Sequence, residues 1–256
     1  LPTPLATLSS DINVYEDTSN IVEGNTYYYR VDSEKMGLYI PGYEISITSS
    51  LATTDIFDIF EDGSAVALFQ FNNSLNDINS NYSFTYNNGT ASYGSSFVKN
   101  GTGAFVQDST GSEPSLETNI TLPSTGFSIS GWFFFTENKR ADLFSFGNYT
   151  NGLWTEPDGF KINNGSVFSN STQVNYSIPL NTPMFIVYTF DGSTGTLFLD
   201  KTSLGSGSSS NSFGTGFTVI GRGNYGQSQG TGSKVDQLRM FNRVINQSEI
   251  DMLYQE

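Results

Sequence analysis

Short runs of aromatic and β-branched residues, separated by Gly, Asn and Ser, recur along most of the chain. These side chains favour strands, whereas Gly, Asn and Asp favour tight turns because they tolerate positive φ angles. Many strands at short spacing, without helices between them, predict an antiparallel sandwich rather than an α/β fold. The clearest predicted strands are 65–72, 127–136, 183–190, 194–200, 217–221 and 234–241.

Alternation within two of these runs indicates which side chains are buried. In the run 127–136, Phe127, Ile129 and Phe133 lie on one face, and Trp132 and Phe134 lie on the other. A strand with two apolar faces is typical of the centre of a sheet. We therefore interpret these aromatic residues as core rather than as a binding surface. The run 183–190 divides in the same way, into Ile186, Tyr188 and Phe190 against Phe185, Val187 and Thr189.

The last residues of the sequence predict one short helix, which closes the domain. Asn246 and Glu249 have the spacing of a capping box, in which each side chain binds the other residue's main-chain N–H. Ile250, Leu253 and Tyr254 then recur on one helical face.

Charge and missing residue types exclude several classes of function. The chain has 25 acidic and 11 basic residues, a formal net charge of −14, which disfavours binding to nucleic-acid phosphates and to anionic membrane surfaces. No run approaches the ~20 apolar residues that span a bilayer. Cys and His are absent, which excludes disulfides, thiol nucleophiles, the usual zinc sites and histidine acid–base catalysis.

The composition divides the chain into three parts. Residues 1–50 predict a small β unit, residues 51–64 an acidic linker, and residues 65–256 one β-rich domain. In the small unit, Tyr27, Tyr29 and Val31 share one strand face. An isolated hairpin is marginally stable in water, so we expect this unit to pack on a neighbouring chain or segment.

Two sets of residues resemble known families. Residues 15–18, 22–31 and 44–47 resemble the last strands of a fibronectin type III domain. Residues 66–77, 127–132, 185–192 and 235–250 resemble, in order, four segments of laminin-G-like, concanavalin A-like jelly rolls. The resemblance implies an all-β antiparallel jelly-roll sandwich. The tandem is similar to bacteriophage tail-fibre and other virion-surface proteins, and to some bacterial surface proteins.

That resemblance implies a non-enzymatic domain on a virion or cell surface that recognises host-surface carbohydrate. Its expected location is the virion surface or the extracellular space. Its expected partners are a host glycan and, through residues 1–50, other virion or filament subunits, in a homo-oligomer or larger assembly. One alternative is a purely structural decoration or spacer domain. Another is an accessory carbohydrate-binding module of a secreted hydrolase.

A β-glucanase-like enzyme of this superfamily would need paired carboxylates, carried on a Glu-x-Asp-x-(x)-Glu strand. The nearest runs are 156–161, where Lys161 stands in place of the second Glu, and 249–251, which lies on the predicted helix. The catalytic motif is therefore absent.

Carbohydrate binding calls for exposed aromatic rings beside amide groups. Loop positions predict such a site at Tyr149, Asn151 and Trp154, and at Asn224 and Tyr225. Trp154 is included because its neighbours are polar. The alternative is scattered surface aromatics or a subunit contact.

Calcium is the metal that the resemblance implies, because Ca²⁺ takes carboxylate, carbonyl and amide oxygens. Asp77 and Asp236 match recurrent acidic positions of the family. The alternative is structural, with Asp77 forming a turn and Asp236 accepting hydrogen bonds from main-chain amides.

Overall fold

Two units make up the chain, Leu1–Thr54 and Asp55–Glu256. The computed structural model describes residues 26–35, 38–40, 42, 44–48, 56–107, 114–146, 151–163, 171–208, 217–221 and 230–256. Each unit is described by itself.

The first unit contains two small antiparallel sheets among its described residues. One pairs β1 (Thr26–Arg30) with β4 (Glu44–Thr48), and the other pairs β2 (Ser33–Lys35) with β3 (Leu38–Ile40). Tyr28 is 66% exposed and Val31 is 84% exposed. These exposed side chains fit the expectation that the unit packs on a neighbour, which stays a prediction.

The second unit is a sandwich of two antiparallel sheets, as predicted. The eight-stranded sheet has the order β17-β16-β15-β10-β19-β8-β7, with β5 also paired to β19. The seven-stranded sheet has the order β14-β13-β12-β11-β18-β9-β6. The strands are β5 (Ala65–Phe69), β6 (Thr85–Asn87), β7 (Ser92–Gly94), β8 (Ala104–Val106), β9 (Ser115–Thr118), β10 (Phe127–Phe134), β11 (Ala141–Phe146), β12 (Asn151–Glu156), β13 (Gly159–Asn163), β14 (Thr172–Asn175), β15 (Met184–Phe190), β16 (Thr194–Leu199), β17 (Thr202–Ser208), β18 (Phe217–Gly221) and β19 (Lys234–Phe241).

Aromatic rings fill the space between the two sheets. Phe127 of β10 lies 5.0 Å from Phe146 of β11, and Phe133 lies 5.5 Å from Phe144, measured between ring centroids. The faces assigned from alternation are confirmed, because Phe127, Ile129 and Phe133 all belong to this core. Burying each such side chain contributes roughly 1.5–3 kcal/mol.

A second apolar cluster covers the outer face of the eight-stranded sheet. It joins Trp132 and Phe185 to Ile250 and Leu253 of helix α1 (Gln247–Gln255). The predicted capping box is confirmed, with the Asn246 side chain accepting from the Glu249 N–H at 3.1 Å. The helix therefore closes the domain by burying one face against β10 and β15.

Residues 56–64, which the sequence assigns to a linker, pack against the second unit. The guanidinium of Arg239, 2% exposed, donates to the Ile56 carbonyl at 2.7 Å. The rings of Phe60 and Phe241 lie 4.9 Å apart. The unit boundary accordingly falls at Asp55, so this part of the acidic segment belongs to the domain. Within the described residues, no helix is long and apolar enough to cross a membrane.

Candidate functional site

A polar cleft of about 260 Å³ lies beside the segment that follows β5. Six of its eight lining residues are polar, and the remaining two are Phe71 and Ile78. The polar ones are Gln70, Asn72, Ser74, Asn76, Asp77 and Ser80.

The chain forms this cleft by turning sharply after β5 and folding back beside it. Phe71 and Asn73 adopt positive φ angles of 53° and 56°, and the N–H of Asn73 donates to the Phe71 carbonyl at 2.8 Å. Farther on, the N–H of Ile78 donates to the Leu68 carbonyl at 2.9 Å. The buried ring of Phe71 anchors the turn in the core, so the polar side chains around it line the cleft.

Asp77 holds the returning loop together. Its Oδ1 accepts from the Tyr82 N–H at 2.6 Å, and its Oδ2 accepts from the Asn79 N–H at 3.1 Å. The residue is only 2% exposed. This geometry is that of the structural alternative, in which the carboxylate forms a turn.

Asn72 fixes the opposite side of the cleft. Its Oδ1 accepts from the main-chain N–H groups of Thr102 at 2.6 Å and Gly103 at 3.1 Å, and its Nδ2 donates to Gln70 Oε1 at 3.4 Å. A side chain at Gly101 would bring a Cβ into collision with the Asn72 amide. The glycine therefore allows the loop to approach Asn72 closely.

Three polar side chains of the cleft remain available to a ligand. The amide of Asn76 and the hydroxyl of Ser80 make no hydrogen bond to other described residues. Ser74 Oγ accepts from the Asn76 N–H at 3.0 Å, which leaves its own hydrogen free to donate. Ile78, 37% exposed, adds an apolar surface next to these groups.

Asp236, the other predicted calcium ligand, is fully buried on β19. Its Oδ2 accepts from the Lys99 N–H at 2.7 Å, and its Oδ1 accepts from the Gln237 N–H at 2.8 Å. Burial raises the pKa of Asp236 to about 7, although hydrogen bonds from main-chain amides oppose that shift. The carboxylate ties β19 to the loop that carries Thr102 to the cleft.

Neither aspartate has the surroundings of a calcium site. Ca²⁺ takes six to eight oxygen ligands, whereas the oxygens of Asp77 and Asp236 already accept hydrogen bonds from main-chain N–H groups. No group of three or more acidic side chains that could hold a metal occurs in the part of the chain that the structure describes. We therefore expect the structural alternative, rather than calcium binding, at both positions.

The predicted carbohydrate site is corrected at Trp154, which is 1% exposed and offers no stacking face. Trp154 lies on β12, opposite Asp142 of β11 and Lys161 of β13. Asp142 and Glu156 beside it are also buried, so polar neighbours in the sequence do not place this ring at the surface. Asn151 begins β12 and pairs with Phe146, but its side chain lies outside the described residues, as do Tyr149, Asn224 and Tyr225.

Charged side chains lie around Trp154, and two of them, Arg140 and Asp142, were not named from the sequence. Arg140 Nε donates to both carboxylate oxygens of Glu156, at 2.9 and 3.0 Å. Burial of the Asp142 carboxyl group raises its pKa well above its usual range. In the run 156–161, which is one of the two runs nearest to the glucanase motif, Glu156 is held in this ion pair and Asp158 lies in an exposed turn.

A model of the family described as the concanavalin A-like lectin/glucanases superfamily matches residues 108–251. No curated protein matches the chain. Among solved structures, one similar to this chain is domain 4 of AbnA, an extracellular GH43 arabinanase from Geobacillus stearothermophilus, in complex with arabinotriose. It has 18% sequence identity to this chain and a TM-score of 0.57. The match covers 75% of this chain and 98% of that one.

Botulinum neurotoxin structures also share the fold. One belongs to type C, whose uptake into cells depends on interaction with two ganglioside molecules. It has 13% identity and a TM-score of 0.56 and covers 75% of this chain and 51% of that one. A binding domain of neurotoxin DC in complex with SialylT has 12% identity and a TM-score of 0.54. That match covers 76% of this chain and 51% of the neurotoxin chain. This chain therefore spans about half the length of the neurotoxin chains that it matches.

Proposed function

Since the chain belongs to the concanavalin A-like lectin/glucanases superfamily, we propose that its second unit is a non-catalytic, extracellular carbohydrate-binding domain. The observation that carries this proposal is the polar cleft beside β5, with its amide and hydroxyl groups and no paired catalytic carboxylates among its lining residues.

The cleft has the chemistry that a sugar requires. Sugar hydroxyls donate and accept hydrogen bonds, and so do the amide of Asn76 and the hydroxyls of Ser74 and Ser80. The volume of about 260 Å³ is below the roughly 300–1,000 Å³ of pockets for drug-sized ligands. We infer that it receives a short saccharide segment, with Ile78 against an apolar C–H face of the ring.

The similar structures support this function. Domain 4 of the arabinanase was solved with arabinotriose, and neurotoxin type C interacts with gangliosides. These proteins share the fold with this chain at 18% and 13% identity, so the ligand of each is its own.

The biological setting is a separate part of the proposal. We place the domain on a virion or cell surface, where it would recognise a host glycan, with other subunits of the assembly as the partners of residues 1–50. An accessory module of a secreted hydrolase is the second candidate. It is favoured by the match to domain 4 of an extracellular arabinanase, which covers 98% of that chain.

A glycan array, followed by saturation-transfer NMR with the glycans that bind, tests the function. We expect Asn76→Ala to remove binding, because it deletes an available amide of the cleft but keeps the main-chain bond to Ser74. Asn119→Ala, at an exposed position outside the cleft, is the matched control. A wild-type protein that binds no glycan on the array would refute carbohydrate recognition and leave the purely structural role. Release of shorter products from a bound glycan would refute the non-catalytic assignment.

A further inference from the structure

We propose that the cleft beside β5 selects neutral saccharides over saccharides that carry carboxylate groups. This inference rests on the proposed carbohydrate-binding function and specifies its ligand class.

Among the described residues that line the cleft, none is basic and one is ionisable, Asp77. Both Asp77 oxygens already accept hydrogen bonds from main-chain N–H groups. Sites that recognise carboxylates use arginine forks, lysine or clustered N–H donors. A carboxylated sugar placed here would lose its hydration and meet a carboxylate instead of a cation.

In the part of the domain that the structure describes, three arginines and two lysines have partners outside the cleft. The guanidinium groups of Arg140, Arg239 and Arg243 pair with Glu156, Glu256 and Glu249, respectively. The Lys99 ammonium lies 4.4 Å from the ring centroid of Trp132, and that of Lys234 lies 4.6 Å from Phe134.

The net charge of the chain makes its electrostatic field negative. With 25 acidic and 11 basic residues, the chain has a formal charge of −14. A negative field lowers the local concentration of anionic ligands and slows their association. Neutral sugars experience no such repulsion, and the amide and hydroxyl groups of Asn76, Ser74 and Ser80 provide both donors and acceptors for them.

Matched oligosaccharide pairs test this selectivity: galacto-oligosaccharides against oligogalacturonates, and lactose against sialyllactose. In each pair of which at least one member binds, we expect the wild-type protein to bind the neutral member at least about fivefold more tightly than the carboxylated one. A factor of about five corresponds to the repulsion between two like charges about 4 Å apart in water. Added salt should narrow the difference, because it screens exposed charges.

Ile78→Lys should weaken the preference by placing an ammonium group on the cleft. Leu180→Lys is the matched control, because Leu180 is 40% exposed, close to the 37% of Ile78, but lies outside the cleft. If Ile78→Lys does not fold, the salt dependence of the wild-type protein still tests the inference.

Tighter wild-type binding of the carboxylated members, abolished by Asn76→Ala, would overturn the neutral selectivity and leave the carbohydrate-binding function intact. Equal binding of both members, unchanged by salt and by Ile78→Lys, would also overturn the selectivity. No binding of any glycan, in these pairs or on the array, would instead overturn the proposed function.

Discussion

Asp236→Asn tests how burial acts on an ionisable group in this domain. The wild-type carboxylate is fully buried and accepts hydrogen bonds from the Lys99 and Gln237 N–H groups. Burial raises its pKa from 3.8 to about 7. Because the folded protein holds the proton more tightly than the unfolded chain does, protonation of Asp236 favours folding.

The sign and size of the effect follow from this shift. The stabilisation is fully present below pH 3.8, the unfolded value, and is lost as the pH rises through about 7. The difference between the unfolded pKa of 3.8 and the folded pKa of about 7 corresponds to about 4 kcal/mol of folding free energy, at 1.36 kcal/mol per pKa unit. The amide that replaces the carboxyl group in Asp236→Asn does not titrate, so the free energy of unfolding of the variant should lack this dependence.

Urea unfolding at a series of pH values from 4 to 8 measures the effect. Both tryptophans, Trp132 and Trp154, are buried, so their fluorescence reports the unfolding of the domain. We expect the stability of Asp236→Asn relative to wild type to rise by about 4 kcal/mol across this range. Other ionisable groups are common to both proteins and cancel in the difference. Asp158→Asn, in an exposed turn, is the control, and parallel curves for wild type and Asp236→Asn would refute the reasoning.

Three further predictions concern packing and metal binding. Arg239→Ala should lower the free energy of unfolding by about 3–5 kcal/mol in urea denaturation, because a buried ion pair and a main-chain carbonyl lose their partner; a loss below about 1 kcal/mol would contradict this. Gly152→Ala should cost at least about 3 kcal/mol, because its φ is +133° and its Cβ would collide with the Phe144 carbonyl oxygen. Gly63→Ala, with a positive φ but no atom near its Cβ, is the control and should cost only about 1 kcal/mol. Added Ca²⁺ or EDTA should leave the thermal midpoint unchanged, because the two predicted aspartates already bind main-chain amides, whereas a rise with Ca²⁺ would establish a site.

Six strands of the second unit could be predicted from the sequence because their signal is local. The run 234–241 coincides with β19, and the run 127–136 extends only two residues beyond β10. Successive side chains of a strand point to opposite faces, so apolar residues at every second position indicate a strand and its buried face. The same regularity assigned Trp132 and Phe133 to opposite faces, and they belong to separate apolar clusters.

Features that depend on tertiary covering could not be predicted in this way. Trp154 was expected at the surface because its neighbours in the sequence are polar, but it lies on β12 and is buried. The acidic composition of 51–64 likewise predicted a linker, whereas Phe60 in this segment packs on Phe241. The sequence placed Asn72 at the end of the predicted strand 65–72 and assigned no role to Asn76, because the cleft depends on contacts with a distant loop.

Strand β19 is the last strand that the structure describes along the chain, yet it lies in the interior of the eight-stranded sheet. It pairs with β10 on one side, and on the other with β8 along Lys234–Val235 and with β5 along Leu238–Phe241. During synthesis, β5, β8 and β10 leave the ribosome well before the strand that joins them. Contacts so distant in sequence slow folding, so the nascent domain must keep its aromatic strand edges from aggregating until β19 emerges.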